Sequence, residues 1–262
     1  MARFCSLFSS SSGNCTYIGS GGGGILVDAG VSAKQINNKL NCIGVGIEGI
    51  GAIFVTHEHS DHITGLRTLA SRHGIPVYAT EGTVAALSRS GVWDGSFTCE
   101  AVSYDGIEAC GQYVKPFRTS HDAAESCGYV VTTTDGRRLA VMTDSGVVTE
   151  EMRRSVTGCD LILAESNHDV GMLRNGAYPY MLKRRILSEK GHLSNDSCAE
   201  LITGLVTGGT TRIYLGHLSR QNNIPELAFQ TSKSSLDCAG AVENRDYILK
   251  VAGFGEPVMA VL

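Results

Sequence analysis

Short apolar runs alternate along the chain with turns rich in Gly, Ser, Asn and Asp, and several of the intervening stretches carry apolar residues at helical spacing. After Leu7-Phe8 and the polar loop Ser9 to Asn14, Cys15 to Ile18 and Ile25 to Val27 read as strands, joined by a flexible Gly21 to Gly24. Ser32 to Leu40 has the cap and spacing of a short helix, and the glycine-broken segment 44–51 leads into the apolar strand Ala52 to Thr56. Gly65 to Arg72 then reads as a helix stopped by His73-Gly74, Pro76 to Ala79 as a strand and Gly82 to Ser90 as a helix. In the second half, Gln112 to Thr119 and Gly128 to Thr134 alternate as strands, and Asp135-Gly136 folds the latter onto Leu139 to Met142. Thr149 to Val156 is a predicted helix with acidic residues in its first turn, and Asp160 to Ala164 a buried strand. Pro179 to Leu187 and Asp196 to Val206 follow as helices, the second capped by Ser194 or Asn195, and Arg212 to Gly216 as a strand. Glu226 to Lys233 as a helix, with Asp246 to Ala252 and Pro257 to Val261 as strands, closes the chain as packing. Such alternation predicts an α/β fold.

The polar residues at the strand ends carry the chemistry. Directly after Ala52 to Thr56 stands His57-Glu58-His59-Ser60-Asp61-His62, with its imidazoles and carboxylates packed into one turn. A strand ending there delivers His57 and His59 to one side, and Asp61 and His62 follow in a turn that can wrap a second ion. A solvated turn can carry a lone His or Asp, but H-x-H-x-D-H behind a strand is ligand spacing.

Composition narrows the class. The 262 residues are 42% hydrophobic and 18% charged, enough for one large core, and with only 5 Pro no linker marks a boundary, so residues 1–262 are expected to form a single domain. No apolar stretch approaches the roughly 20 residues of a membrane span, and the Ser-rich start lacks the pattern of a secretion signal. The 9 cysteines are scattered without a C-x-x-C, which fits free thiols in the cytoplasm. A net charge of -4 excludes a broad electrostatic sheath for nucleic acid, although local basic residues or bound metals can still hold phosphates.

On the hexad the chain resembles the metallo-β-lactamase fold hydrolases. That resemblance implies a four-layered αββα sandwich of the metallo-β-lactamase type with a dinuclear metal site at one edge. It implies that His121, in the loop after Gln112 to Thr119, joins His57 and His59 around one ion, and that Asp61, His62 and His217 hold the other. Asp144, in Val141-Met142-Thr143-Asp144-Ser145-Gly146, would bridge both, and Asp61 counts as a catalytic carboxylate as well as a ligand. Asp28, at the end of Ile25 to Val27, would support the metal loop from behind, with a plain turn aspartate as the alternative. All-N/O ligation suits Zn first, with Mn or Fe as alternatives. Two divalent ions about 3.5–4 Å apart would polarise a phosphoryl or acyl oxygen and acidify a bridging water to hydroxide, so hydrolysis is the expected reaction.

The same core serves lactamases, thioesterases such as glyoxalase II, phosphodiesterases and oxygen-reducing di-iron proteins, so fold alone does not choose the substrate. Asp144 stands where lactamases would be expected to use a cysteine. His192, in His192-Leu193-Ser194, resembles the H-x-S/T element with which RNA- and DNA-cleaving members stabilise charge or protonate a leaving oxygen. The basic run Lys183-Arg184-Arg185 lies just upstream, either a solvated face or a contact for backbone phosphates. More of the chain resembles the YycJ-type subgroup: the Ser10 to Asn14 loop, Glu165-Ser166-Asn167-His168-Asp169, Tyr178-Pro179 with Lys183, Gly191 to Asn195, and His217-Leu218-Ser219 with Asn222-Asn223. This implies a cytoplasmic metallohydrolase with DNA exonuclease activity linked to repair, DNA as its partner and no membrane. Asn14, His168, Lys183, Arg184, Arg185, Ser219 and Asn222 are then candidate substrate contacts. An acyl-ester or thioester hydrolase on the same metals is the alternative, with His192 a packed loop residue. A purely structural metal conflicts with a bridging Asp144, since structural zinc closes its shell with four ligands.

Overall fold

The computed structural model describes residues 1–20, 23–253 and 256–262. The first half lays down β1 (Arg3–Phe8), β2 (Cys15–Ser20), β3 (Gly23–Val27), β4 (Ile50–Phe54), β5 (Val77–Ala79) and β6 (Cys99–Ala101), with α1 (Ala33–Cys42), α2 (Ser60–Ile63), α3 (Leu66–His73) and α4 (Glu81–Arg89) between them. The second half adds β7 (Ile107–Ala109), β8 (Gln112–Arg118), β9 (Cys127–Thr132), β10 (Arg138–Met142), α5 (Glu150–Val156), β11 (Leu161–Glu165), α6 (Val170–Asn175), α7 (Tyr180–Ile186), α8 (Asn195–Thr207), β12 (Arg212–Gly216), α9 (Pro225–Cys238) and β13 (Ile248–Val251). β14 (Val258–Val261) crosses back to pair antiparallel with β1.

Two seven-stranded sheets result, in the orders β14-β1-β2-β3-β4-β5-β6 and β13-β12-β11-β10-β9-β8-β7. Within each, one side is antiparallel and the other parallel: β3 to β6 in the first, β10 to β13 in the second. The central strands are apolar on both faces because both faces are buried. Ile25, Val27, Ala52 and Phe54 point between the sheets and meet Tyr129, Val131, Leu139, Val141 and Leu163. Their alternate neighbours Leu26, Ile53 and Val55 pack outward with Ile36 and Leu40 of α1 and Leu66 and Leu69 of α3. Ala140, Met142, Ile162 and Ile213 do the same toward Met152, Leu201 and Leu236 of α5, α8 and α9. This is the expected αββα sandwich, and truncating one of these buried Leu or Phe side chains costs about 2–5 kcal/mol.

The local signals held where they were specific. Ser32 caps α1 in a capping box with Gln35, Gly74 ends α3 in the left-handed conformation (φ 64°), and Ser194 caps α8. Four departures have physical causes. Gly23 and Gly24 belong to β3, paired with Ser20 and Gly19, because ladder bonds override glycine's freedom; Gly21 and Gly22 lie outside the described residues. α9 continues past Lys233 to Cys238, since Ser232 and Leu236 are buried one turn apart under polar neighbours. The closing strands are shorter than read, beginning at Ile248 and Val258. β1, β6, β7 and α6 went unpredicted, the last three being too short to show a period.

Candidate metal centre and active site

The strand ends converge. β3, β4, β10, β11 and β12 finish at one edge of the sandwich, where they release Asp28, the turn Thr56 to His62, Asp144, Glu165 and His217, and the loop after β8 brings His121 to the same edge. Asp28, Asp144 and His217 have φ of 64°, 60° and 55°, three of the five non-glycine residues in the left-handed region among the described residues. Such backbone costs about 1–3 kcal/mol per residue and persists where the surrounding structure enforces it, characteristically at functional sites. Gly30 allows the metal loop to close on β3, because a Cβ there would lie 1.7 Å from the Asp61 carbonyl oxygen.

Two sets of donor atoms face each other. In the first, His57 Nε2 and His121 Nε2 lie 3.1 and 3.3 Å from His59 Nδ1. In the second, Asp61 Oδ2 is 3.6 Å from His62 Nε2 and 3.5 Å from His217 Nε2. Asp144 stands between them, Oδ2 at 3.2 Å from His62 Nε2 and Oδ1 at 3.8 Å from His121 Nε2. Asp144 Oδ2 and His217 Nε2 are buried with these neighbours near but none aligned for a hydrogen bond.

The groups behind the donors select which ring nitrogen faces inward. Thr56 Oγ1 has one proton, directed at Asp28 (2.9 and 3.1 Å), so it accepts from His57 Nδ1 at 3.0 Å. His62 Nδ1 donates to Asp28 Oδ2 at 2.8 Å and His121 Nδ1 to the Gly191 carbonyl at 3.0 Å. Glu165 Oε1 accepts from both His217 Nδ1 (2.9 Å) and His192 Nδ1 (2.8 Å). Hydrogen bonding at Nδ1 leaves each Nε2 as the open position, the usual support for a metal-binding histidine. His59 Nδ1 can donate a single proton to only one of the two Nε2 atoms near it, whereas a tetrahedral ion bound at 2.0–2.1 Å would satisfy all three nitrogens and hold them about 3.3–3.4 Å apart. The donor set fits divalent metal.

The charges agree. Burial pushes the Glu165 carboxyl up, but His192 and His217 outweigh it and hold it at about 2. Asp144 is likewise held well below the usual carboxylate range, burial being overcome by His217 and His62, and Asp61 is lowered against its own burial by the nearness of the same pair. Burial lowers His57 and His121, keeping them neutral as ligands must be. For His62 and His217 burial is outweighed by Asp144 together with Asp28 or Asp61, and His217 is pushed up to about 10. Without an ion these two imidazoles carry the positive charge the carboxylates demand.

The other candidate residues are distributed around this centre. Asn14 is buried against the metal loop, its backbone bonded to Asp61 and Gly30 and its Nδ2 3.1 Å from His62 Nε2. Lys183 Nζ is bound to the Arg174 and Gly176 carbonyls (2.8 and 2.7 Å). Arg185 grips Asp122 through two bonds (2.5 and 2.9 Å), and Asp122 lies 3.4 Å from His121 Nε2. Arg184 lies over the Tyr180 ring. Ser219 and Asn222 are buried and bonded to each other and to the Asn167 and Asp169 backbones. His168 is buried without a partner for either ring nitrogen, and burial lowers it to about 4. Sequence reasoning missed Thr56 and Asp122 and gave Glu165 no role, although Glu165 stood at the end of a buried strand and in one of the stretches that carry the subgroup resemblance.

Residues 24–218 match the family model of the Beta-lactamase superfamily domain. The chain belongs to that superfamily. It is 40% identical over 242 residues to the Exodeoxyribonuclease YycJ of Bacillus anthracis, with 91% of this chain and 90% of the relative covered. It is 40% identical over 238 residues to the Exodeoxyribonuclease WalJ of Streptococcus pneumoniae serotype 2 (strain D39 / NCTC 7466), with 89% and 88% covered. The crystal structure of the metallo-β-lactamase fold protein YhfI from Bacillus subtilis matches with a TM-score of 0.74 at 15% identity over 99% of each chain, which is a likeness of fold. The expected family and its YycJ-type likeness are thus borne out, and this superfamily member is a metal-dependent hydrolase. No helix among the described residues is long and apolar enough to cross a membrane.

Proposed function

We infer that the protein is a cytoplasmic DNA exonuclease, a single-domain phosphodiesterase using two divalent ions, zinc first and manganese or iron next. His57, His59 and His121 would hold one ion, Asp61, His62 and His217 the other, with Asp144 shared and Asp28 bracing the loop. When bound, the ions supply Lewis acidity toward a phosphoryl oxygen and lower the pKa of a nearby water.

One observation carries the choice of chemistry: His192 sits beside both donor sets, its ring centroid 5.0 Å from that of His121 and 5.3 Å from that of His217, and is oriented by a fully buried carboxylate. The Glu165 bond keeps one proton on Nδ1 and fixes the ring plane, so an imidazolium that carries a second proton on Nε2 would give that proton to a leaving oxygen and return to the neutral ring, with Glu165 balancing its charge. The ring is 16% exposed while Glu165 is sealed, so the accessible part of the dyad is the imidazole. Asp61, 23% exposed, is the partly open carboxylate of the second donor set. The two exodeoxyribonuclease relatives support DNA as substrate.

The test is metal content of the purified protein followed by incubation with end-labelled single- and double-stranded DNA, and separately with a thioester, in zinc, manganese or iron. Stepwise shortening of DNA from one end supports the reading. Thioester cleavage with intact DNA would transfer the same centre to acyl chemistry.

A further inference from the structure

Resting on the DNA exonuclease reading, we propose that Tyr180 of α7, with Met181 and Arg184, is a platform on which an unpaired base of the substrate strand stacks as its phosphate enters the metal centre. Tyr180 is 72% and Met181 70% exposed, the most exposed large apolar side chains after Met1 among the described residues. Exposed aromatic and thioether groups side by side, next to a centre built for anions, suit a partner that is apolar on its faces and negative along its edge.

The patch is held rigidly. Lys183 ties α7 to the Arg174 and Gly176 carbonyls, Arg185 ties it to Asp122 beside His121, and the Ile186 carbonyl accepts the His192 N–H at 3.0 Å. Gly191 lets that last contact form, since a Cβ there would lie 2.1 Å from the same carbonyl oxygen. The C-terminal end of α7 thus lies beside His192, and Tyr180 stands at the helix's other end. Tyr180 is six residues from Ile186, about 9 Å along the axis, and two to three stacked nucleotides at about 3.4 Å each cover that distance. Arg184 lies one turn on, its guanidinium 5.9 Å from the Tyr180 ring centroid, so a cation for the backbone accompanies the ring that takes the base. Duplex bases have both faces covered, so the platform selects single-stranded ends.

The experiment measures binding of short single-stranded DNA with nuclease-resistant phosphorothioate linkages to wild type, Tyr180→Ala and Tyr180→Phe, with metal content and melting temperature as folding controls. Tyr180→Ala should weaken binding roughly 5- to 100-fold, the range that one base–aromatic stack corresponds to, and Tyr180→Phe should restore it. A single abasic nucleotide, moved stepwise from the DNA end, should cost the wild type the same factor at one position and cost Tyr180→Ala nothing further. If Tyr180→Ala binds like wild type while wild type degrades DNA, the platform is wrong and the nuclease reading stands. Should wild type neither bind nor degrade DNA, both fall together.

Discussion

Glu165 is the residue on which the centre turns, because one oxygen of a fully buried carboxylate receives protons from two imidazoles with different tasks. Glu165→Gln keeps the shape but offers a weaker acceptor and places a donor beside one of those N–H groups, so both rings lose their fixed orientation. We expect kcat on DNA to drop roughly 10- to 100-fold with a smaller drop in bound metal, the usual cost of disturbing the support of a ligand. His192→Ala should keep both metals and lose about 10²- to 10⁴-fold in rate, less so for a substrate whose leaving group is a good anion. Asp144→Asn differs from both: with the shared negative charge gone, elemental analysis should show metal lost together with activity, and retention of two ions per chain with normal turnover would refute the shared-ligand assignment. The hexad was legible because its ligands are neighbours in sequence, each explained by the next. Glu165 was not, since its partners lie 27 and 52 positions away and nothing local distinguishes it from an ordinary polar strand end.

At the scale of elements, the strands that matter were legible and the loops that aim them were only partly so. Runs such as Ile25 to Val27 and Leu161 to Ala164 read as strands because burial on both faces forces unbroken apolar sequence, whereas the left-handed turns at Asp28, Asp144 and His217 have no such signature in non-glycine residues. Gly30 shows how tightly one such junction is built. Gly30→Ala would place a methyl group 1.7 Å from the Asp61 carbonyl oxygen and 2.5 Å from the Asn14 nitrogen, forcing the metal loop away from β3. The expected result is about 1–3 kcal/mol of lost stability, read by denaturant unfolding, with the second ion bound more weakly than the first. α7 separates two arginines that sequence alone left equivalent. Arg184→Ala should reduce the slope of log K against log salt for DNA by about one, as for a lost phosphate contact. Arg185→Ala releases Asp122 beside His121, so its effect should appear in turnover and metal affinity, with binding titrations across salt and rate measurements telling the two apart.

The whole molecule is two similar half-sandwiches whose strands β3 to β6 and β10 to β13 aim their ends at one edge, and the long-range strap β14 to β1 fastens the last residues onto the first strand. Its interior is thiol-rich: all nine cysteines are free, Cys42 and Cys238 are exposed, and Cys5, Cys99, Cys159 and Cys198 are buried. Burial pushes Cys5, Cys99 and Cys159 from 9.0 up to about 11, and Cys198 up to about 12. A group whose folded pKa exceeds its unfolded one favours the folded state fully below the unfolded value, and that contribution disappears as pH rises through the folded value. The thiols therefore add an alkali sensitivity of their own: their contribution to melting temperature is complete below about pH 9 and is lost between about 9 and 12, as buried thiols must ionise or unfold to do so. Native labelling with a thiol reagent at neutral pH should modify Cys42 and Cys238 rapidly and the buried set only on unfolding. A melting temperature unchanged up to pH 11, or all nine thiols reacting at one rate in the native protein, would contradict this packing of the two cores around the central pair of sheets.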